Sequence, residues 1–285
     1  MRVAPTYQFA ELNGTTFHYE SRGSGPAMVL LHSGVSDLRF WDDQIDVFAQ
    51  HYRVIRYDLR GSGKTPGLAG GASAHADLRA LLDYLGIDDV IVIGCSIGGG
   101  AAIDFSVANP GRVRSLILVA AAVGGYEPEQ IDPEAAAERD QIGTTVEAAY
   151  AAGEIQRAAS LYARLWMDGP KRTPDQVDPV VRAKAVEMIM TMFELPEDDD
   201  DGYIELEPDA ACHLDAINAP TLVIIGDYDA DWLRAHADFI AHTISGAQLE
   251  VMRGVAHYPN MEKPEEFNRL VLGFLETLNP IIPSG

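Results

Sequence analysis

Residues 90–111 read VIVIGCSIGGGAAIDFSVANPG and carry the clearest structural signal of the chain. Val90–Ile93 is a continuous apolar run, which is typical of a strand buried on both faces. Ile97–Ala108 is predicted to be helical, and Asn109-Pro110-Gly111 ends that helix. Ser96, with Gly94 and Gly98 two positions away on either side, is therefore expected on a sharp turn between a buried strand and a helix.

The alternation of strand and helix continues on both sides of this unit. Short apolar strands separated by helices indicate a mostly parallel sheet flanked by helices, because parallel strands need crossover connections. The predicted fold class is therefore α/β. We expect strands at Thr15–Tyr19, Ala27–Leu31, Tyr52–Tyr57, Val113–Ala120, Thr221–Ile225 and Gln248–Met252, and helices at Phe40–Ala49, Ser73–Leu85, Asp231–Thr243 and Pro264–Leu278.

The middle of the chain differs in both pattern and charge. Tyr126–Asp215 holds 22 acidic and 7 basic residues, a net charge of −15 within a chain of net charge −22. No buried strand is predicted there, and an acidic loop is expected at residues 197–202. We predict a core domain of residues 1–124 and 216–285 and an inserted helical cap of residues 125–215. Its helices are expected at Glu134–Ala152 with a break near Gly143, Ile155–Met167 and Pro174–Phe193.

The turn Gly94-Cys95-Ser96-Ile97-Gly98 has the spacing G-x-S-x-G. A serine in this context projects its hydroxyl beyond the sheet edge, and the N–H of Ile97 lies at a helix N-terminus that favours developing negative charge. This combination suits a nucleophile. The structural alternative is a glycine turn whose serine caps the helix.

A nucleophilic serine needs a base, and the base needs an orienting acid. Asp229 follows the strand Thr221–Ile225, and His257 follows the strand Gln248–Met252. Both therefore lie beyond carboxyl ends of parallel strands, the edge at which Ser96 is also expected. Asp227 and Asp231 are neighbouring acids, and His257 could instead be a structural loop histidine.

Four motifs resemble those of the α/β-hydrolase fold superfamily, in the group of serine esterase- and lipase-like enzymes with a cap. They are LLHSG at residues 30–34, YDLRGSGKT at 57–65, GCSIGG at 94–99, and the pair IIGDYD at 224–229 and AHYPNMEKPEEF at 256–267. The resemblance covers roughly residues 7–124 and 216–280. It implies the α/β-hydrolase fold.

The resemblance also assigns roles to residues. It implies a catalytic triad of Ser96, Asp229 and His257, and an oxyanion hole formed by backbone N–H groups of Ile97 and Gly34. Val35 is the alternative second donor, because Ser33 stands where the family usually has glycine. His32 is expected to hold this loop through hydrogen bonds, and Cys95 to be a packed neighbour of Ser96.

A substrate pocket is expected over Ser96. The predicted cap supplies some apolar side chains for this pocket, and further apolar side chains follow the loop that carries the oxyanion donor Gly34. A pocket lined in this way favours a substrate with apolar groups. The candidate lining residues are Val35, Trp41, Trp166, Met188 and Met192.

Composition excludes several classes of partner. The net charge of −22 disfavours nucleic acids and anionic membranes, and no apolar run is long enough to span a bilayer. Two cysteines and the lack of an apolar leader segment favour a cytoplasmic protein with free thiols. No metal-ligand or dinucleotide-binding spacing occurs, so no cofactor is expected. The oligomeric state is left open, a homo-oligomer included.

The leading hypothesis is a carboxylesterase or lactonase that cleaves small carboxylic esters through an acyl-enzyme. Three alternatives keep the same triad: a perhydrolase or cofactor-free haloperoxidase, a carbon–carbon bond hydrolase, and a prolyl aminopeptidase. A further alternative is a non-catalytic ligand-binding protein on the same scaffold.

Overall fold

The computed structural model of the 285-residue chain describes residues 6–67, 73–129, 132–195 and 206–278. Its centre is an eight-stranded sheet with the order β1-β2-β4-β3-β5-β6-β7-β8. The strands are β1 Tyr7–Leu12, β2 Thr15–Arg22, β3 Ala27–Leu31, β4 Arg53–Tyr57, β5 Val90–Cys95, β6 Val113–Val119, β7 Thr221–Gly226 and β8 Gln248–Met252.

The sheet is parallel from β4 to β8, whereas β2 pairs antiparallel with both β1 and β4. The central strands β5 and β7 are buried along their whole length, which explains their continuous apolar sequences. The sequence did not predict β1. This edge strand is mostly exposed and has only Ala10 buried, so its apolar pattern is weak.

Helices cover both faces of the sheet. One apolar core packs against helices α2, α3 and α7, and the other against α1 and α9. The α-helices are α1 Ile45–Phe48, α2 Ala74–Tyr84, α3 Ile97–Ala108, α4 Pro133–Ala151, α5 Ile155–Ala163, α6 Pro179–Phe193, α7 Asp231–Thr243, α8 Pro259–Glu262 and α9 Pro264–Leu278. In the described part of the chain, no helix is both long and apolar enough to cross a membrane.

Several predicted helix boundaries are wrong. The helix expected at Phe40–Ala49 is a 3₁₀ turn, Leu38–Trp41, followed by the short α1. The break expected near Gly143 does not occur, because α4 is continuous. The helix expected at Pro174–Phe193 divides into a 3₁₀ turn, Pro174–Gln176, and α6, since Asp178 caps a new helix that begins at Pro179. The helix expected at Ile155–Met167 ends at Ala163 and continues as a π-helical turn, Arg164–Asp168.

Helices α4, α5 and α6, with the turns between them, are called here the inserted helices. They stand between β6 and β7, and the described residues between these two strands form helices and turns without a strand. Two ion pairs hold this segment: the buried Asp168 binds the partly buried Arg182 at 2.8 Å within it, and the buried Arg172 binds the buried Glu262 of α8 at 2.6 Å. The acidic loop expected at residues 197–202 lies outside the described residues.

Candidate active site

Ser96 occupies a strained turn between β5 and α3. Its backbone has φ 54° and ψ −119°, a conformation that a non-glycine residue rarely adopts, and its N–H donates to the carbonyl of Val119 at 2.9 Å. The backbone packs so closely around this turn that the residues two positions before and two positions after Ser96 must be glycine. A Cβ on Gly94 would lie 2.2 Å from the carbonyl oxygen of Gly98, and one on Gly98 would lie 2.5 Å from that of His32. The half-buried Ser96 is therefore presented at the sheet edge by tight packing.

Asp229 and His257 meet at the same edge, in the loops after β7 and β8. Asp229 Oδ2 accepts a hydrogen bond from His257 Nδ1 at 2.9 Å, and both side chains are buried. Asp229 Oδ1 accepts the N–H of Ala230 at 2.8 Å, which fixes the carboxylate. The other two candidate acids lie elsewhere: Asp227 accepts the N–H of Gly254, and the exposed Asp231 pairs with Lys171.

The remaining ring nitrogen of His257 is available for chemistry. Because Nδ1 donates to Asp229, the neutral ring leaves Nε2 as an acceptor. Nε2 is buried, and within the described part of the chain it has no hydrogen-bond partner. The ring packs against Trp166, with 4.9 Å between ring centroids. Cys95, the residue before Ser96, donates its thiol to the carbonyl of His257 at 3.8 Å, so the nucleophile turn and the histidine loop touch.

A buried ion pair supports the histidine loop from the inserted helices. Glu262 Oε1 accepts the N–H of Ala256, next to His257, at 2.7 Å. The guanidinium of Arg172 holds this carboxylate at 2.6 and 3.1 Å. Burial raises the pKa of Glu262, and the hydrogen bonds from Arg172 and Ala256 oppose that rise.

The loop after β3 lies against the start of α3. Nε2 of His32 accepts the N–H of Leu59 at 2.8 Å, and Nδ1 donates to the carbonyl of Ser33 at 2.7 Å. Burial lowers the pKa of His32, which keeps the ring neutral for these two bonds. A Cβ on Gly34 would lie 2.3 Å from Cδ1 of Ile97, so the residues of the two expected oxyanion donors are in contact. The first N–H groups of a helix, such as that of Ile97, lack an intrahelical acceptor.

A cavity of about 430 Å³ opens over Ser96. Of the five side chains predicted to line it, Val35 and Trp166 do so. Trp41 does not, because it is fully buried against Phe40 and Phe267 in the core. Met188 and Met192 also pack against that core and are not among the lining side chains.

Several other lining residues were not predicted from the sequence, among them Tyr162, Trp232, Asp104 and Asp209. Asp104 had a weak signal, since it shares the α3 face with Ile97 and Ala101. The other three come from distant parts of the chain, and only the tertiary fold brings them to Ser96. No group of three or more His, Cys, Asp or Glu side chains in the described ranges is placed to hold a metal ion.

Comparisons with known proteins agree with this architecture. Residues 28–270 match the model of a family described as the alpha/beta hydrolase family. An uncharacterised protein of Mycobacterium tuberculosis is 29% identical over 97% of this chain and 83% of its own length. The 3-oxoadipate enol-lactonase 2 of Acinetobacter baylyi is 28% identical over 96% of both chains. The solved structure of Est816, an N-acyl homoserine lactone degrading enzyme, is 30% identical with a TM-score of 0.68, and the match covers 94% of this chain and all of that one.

Proposed function

Because the chain belongs to the alpha/beta hydrolase family, we propose that it is a serine hydrolase that cleaves small carboxylic esters or lactones. The observation that carries the proposal is the buried Asp229–His257 pair beside the strained turn of Ser96. The lactone-degrading activities named for Est816 and for the Acinetobacter enzyme support lactones as a substrate class.

The proposed reaction begins with attack of Ser96 on the carbonyl carbon. His257 Nε2 takes the hydroxyl proton, and Asp229 holds the ring in the required tautomer and stabilises the imidazolium. The tetrahedral oxyanion binds the N–H of Ile97 and that of Gly34 or Val35. Collapse breaks the ester bond, and His257 gives its proton to the leaving alkoxide. Water, deprotonated by His257, then attacks the acyl carbonyl carbon. The bond between the acyl group and Ser96 breaks, the acid leaves, and His257 returns the proton to the oxygen of Ser96.

We further propose that the inserted helices act as the cap of this site. Tyr162 and Trp166 both come from this segment and line the cavity over Ser96. Trp166 also packs on the ring of His257. The segment would thus close the site from above and exclude bulk water, which strengthens the electrostatic interactions of the oxyanion hole.

Steady-state hydrolysis of p-nitrophenyl butyrate and of a simple lactone tests the proposal. Ser96→Ala should lower kcat by about 10³-fold or more, because the nucleophile is lost. Ser106→Ala is the matched control: Ser106 lies in α3, the helix that follows Ser96, and donates to the carbonyl of Ala102 at 2.7 Å, outside the cavity lining. Retention of activity in Ser96→Ala, or an equal loss in both variants, would overturn the proposal.

A further inference from the structure

The buried residue Ser33, in the loop after β3, is held by hydrogen bonds at its carbonyl group and at its hydroxyl group. The carbonyl oxygen accepts two bonds: Nδ1 of His32 donates at 2.7 Å, and Oγ of Ser36 donates at 2.7 Å. These bonds use both lone pairs of the oxygen, and both donor side chains are buried. The Ser33 carbonyl therefore points into the interior of the loop.

The orientation of this carbonyl determines where the N–H of Gly34 points. The peptide bond between Ser33 and Gly34 is trans, and the C=O and N–H bonds of a planar trans peptide point in opposite directions. The N–H of Gly34 thus points away from His32 and Ser36. Gly34 lines the cavity together with Ser96, and none of the described residues accepts its N–H. This N–H group is therefore available to a ligand in the cavity.

The hydroxyl of Ser33 contacts the loop that carries His257. Ser33 Oγ donates to the hydroxyl of Tyr258 at 3.4 Å, and Tyr258 directly follows His257 in the chain. The buried ring of Tyr258 packs edge-on against Phe40, with 5.1 Å between ring centroids. Burial raises the pKa of Tyr258, so its hydroxyl stays uncharged. Ser33 thus joins the loop after β3 to the loop after β8.

Resting on the proposed hydrolase function, we infer that Ser36 and Tyr258 are positioning residues that hold Ser33 so that the N–H of Gly34 points at the oxyanion. Ser36 acts through the carbonyl of Ser33, and Tyr258 acts through its hydroxyl. Neither Ser36 nor Tyr258 is among the described residues that line the cavity, so both act through Ser33 and not on the substrate. The negative charge develops in the transition state, so a misdirected N–H lowers kcat more than it raises KM.

Hydrolysis of p-nitrophenyl butyrate by Ser36→Ala tests the bond to the carbonyl. The variant should lower kcat roughly tenfold and keep KM within about twofold, because one oxyanion donor loses its orientation. Ser106→Ala is the matched control, since it removes a bond from a serine hydroxyl to a carbonyl of the same length, 2.7 Å, within α3. Equal kcat in Ser36→Ala and Ser106→Ala would overturn the inference.

A double-mutant cycle tests whether Tyr258 acts through Ser33. Ser33→Ala and Tyr258→Phe should each lower kcat about threefold, less than Ser36→Ala because the bond between the two hydroxyls is longer. The double variant should lose no more than either single variant, since both changes remove the same bond. Tyr19→Phe is the control: Tyr19 is a buried tyrosine of β2 whose hydroxyl donates to Gln8 at 3.0 Å. Losses that multiply in the double variant, or that equal those in Tyr19→Phe, would contradict the assignment.

The affinity for a transition-state analogue separates positioning from a purely structural role. When 1,1,1-trifluoro-2-pentanone binds, Ser96 Oγ adds to its carbonyl carbon, the serine proton passes to His257, and the ketone oxygen becomes the oxyanion. The Ki of this ketone should rise in each variant by the factor by which kcat/KM falls. A loss of stability in urea with an unchanged Ki would overturn the inference.

The inference and the proposed function fail in different ways. If the wild type hydrolyses the ester and the variants match their controls, the inference alone fails. If the wild type hydrolyses no ester, the proposed function fails, and crystal structures of the wild type and of Ser36→Ala then test the inference. A rotated Ser33–Gly34 peptide in the variant supports the positioning role, and an unchanged peptide overturns it.

Discussion

Asp229 Oδ2 lies 2.9 Å from Nδ1 of His257, and the two side chains are buried together at the carboxyl edge of the sheet. Asp229→Asn should lower kcat by about 10³- to 10⁴-fold, because the amide favours the wrong tautomer of the ring. Asp231→Asn, two residues along, should stay within about twofold of the wild type, since its exposed carboxylate pairs with Lys171. Comparable losses in both variants would show that the acid is wrongly assigned.

We expect the ion pair between Arg172 and Glu262 to hold the loop of His257 in the position that catalysis requires. Arg172→Met should destabilise the fold by about 3–5 kcal/mol, because it leaves a buried carboxylate without its partner. It should also lower kcat more than it raises KM, through the Glu262 bond to the N–H of Ala256. Urea denaturation and steady-state kinetics measure the two effects.

The neighbouring residue supplies the control for that variant. Lys171→Met breaks the exposed pair with Asp231 and should cost less than about 1 kcal/mol, with kcat unchanged. Full kcat in Arg172→Met would mean that the pair stabilises the fold without positioning the histidine. That result would leave the rest of the site as described.

Replacing glycine by alanine should have opposite effects on stability at two positions, one packed tightly beside the turn of Ser96 and one in open space on α4. Gly98→Ala should destabilise the protein by about 1–3 kcal/mol, because its Cβ would meet the backbone carbonyls of His32 and Leu31. Gly143→Ala should instead stabilise it by about 0.5–1 kcal/mol, since that helical site has open space. Urea titrations of both variants give the comparison, and a neutral Gly98→Ala would contradict the close approach of α3 to the loop after β3.

Because His32 is buried, we expect the folded protein to lose stability in mild acid. Burial lowers its pKa below the ordinary value of about 6.5, so below that pH the unfolded chain binds a proton that the folded chain does not. The free energy of unfolding should therefore fall as pH decreases through 6.5, by at most about 1.4 kcal/mol per pH unit from this group. At higher pH the ring is neutral in both states, and this contribution is absent.

Measuring the free energy of unfolding against pH in histidine variants separates the contribution of His32 from that of other titrating groups. His32→Gln should be less stable than the wild type at pH 7.5 and should lose less on going to pH 5.5. His236→Gln provides a second instance, because burial also lowers the pKa of His236, which accepts the N–H of Val123. Parallel pH curves for the wild type and both variants would exclude these rings as the source.

The strands and turns that have a clear pattern within a few residues could be predicted from the sequence. The buried runs at β3, β5 and β7 and the turn around Ser96 each have a signal within a few residues, and the order of strands and helices follows from them. β1 lacks such a signal, because an exposed edge strand needs no continuous apolar run. The division at Pro179 was also missed, although Asp178 and the proline mark a helix start.

The pocket was harder to predict for a physical reason. Trp41 and Met188 are apolar residues in the expected regions, but sequence does not say whether such a side chain fills the core or faces a cavity, and both fill the core. Trp232 and Asp209 reach the cavity only through the packing of α7 and of the turn after residue 208. The separation of these residues along the chain gives no indication of that proximity.

Covalent labelling by a fluorophosphonate, located by mass spectrometry, tests the identity of the nucleophile most directly. We expect one equivalent of label on the peptide that contains Ser96 in the wild type, none in Ser96→Ala, and much slower labelling in His257→Gln. Label on another residue of the folded wild-type protein, or none at all while ester turnover continues, would contradict the claim that Ser96 is the nucleophile.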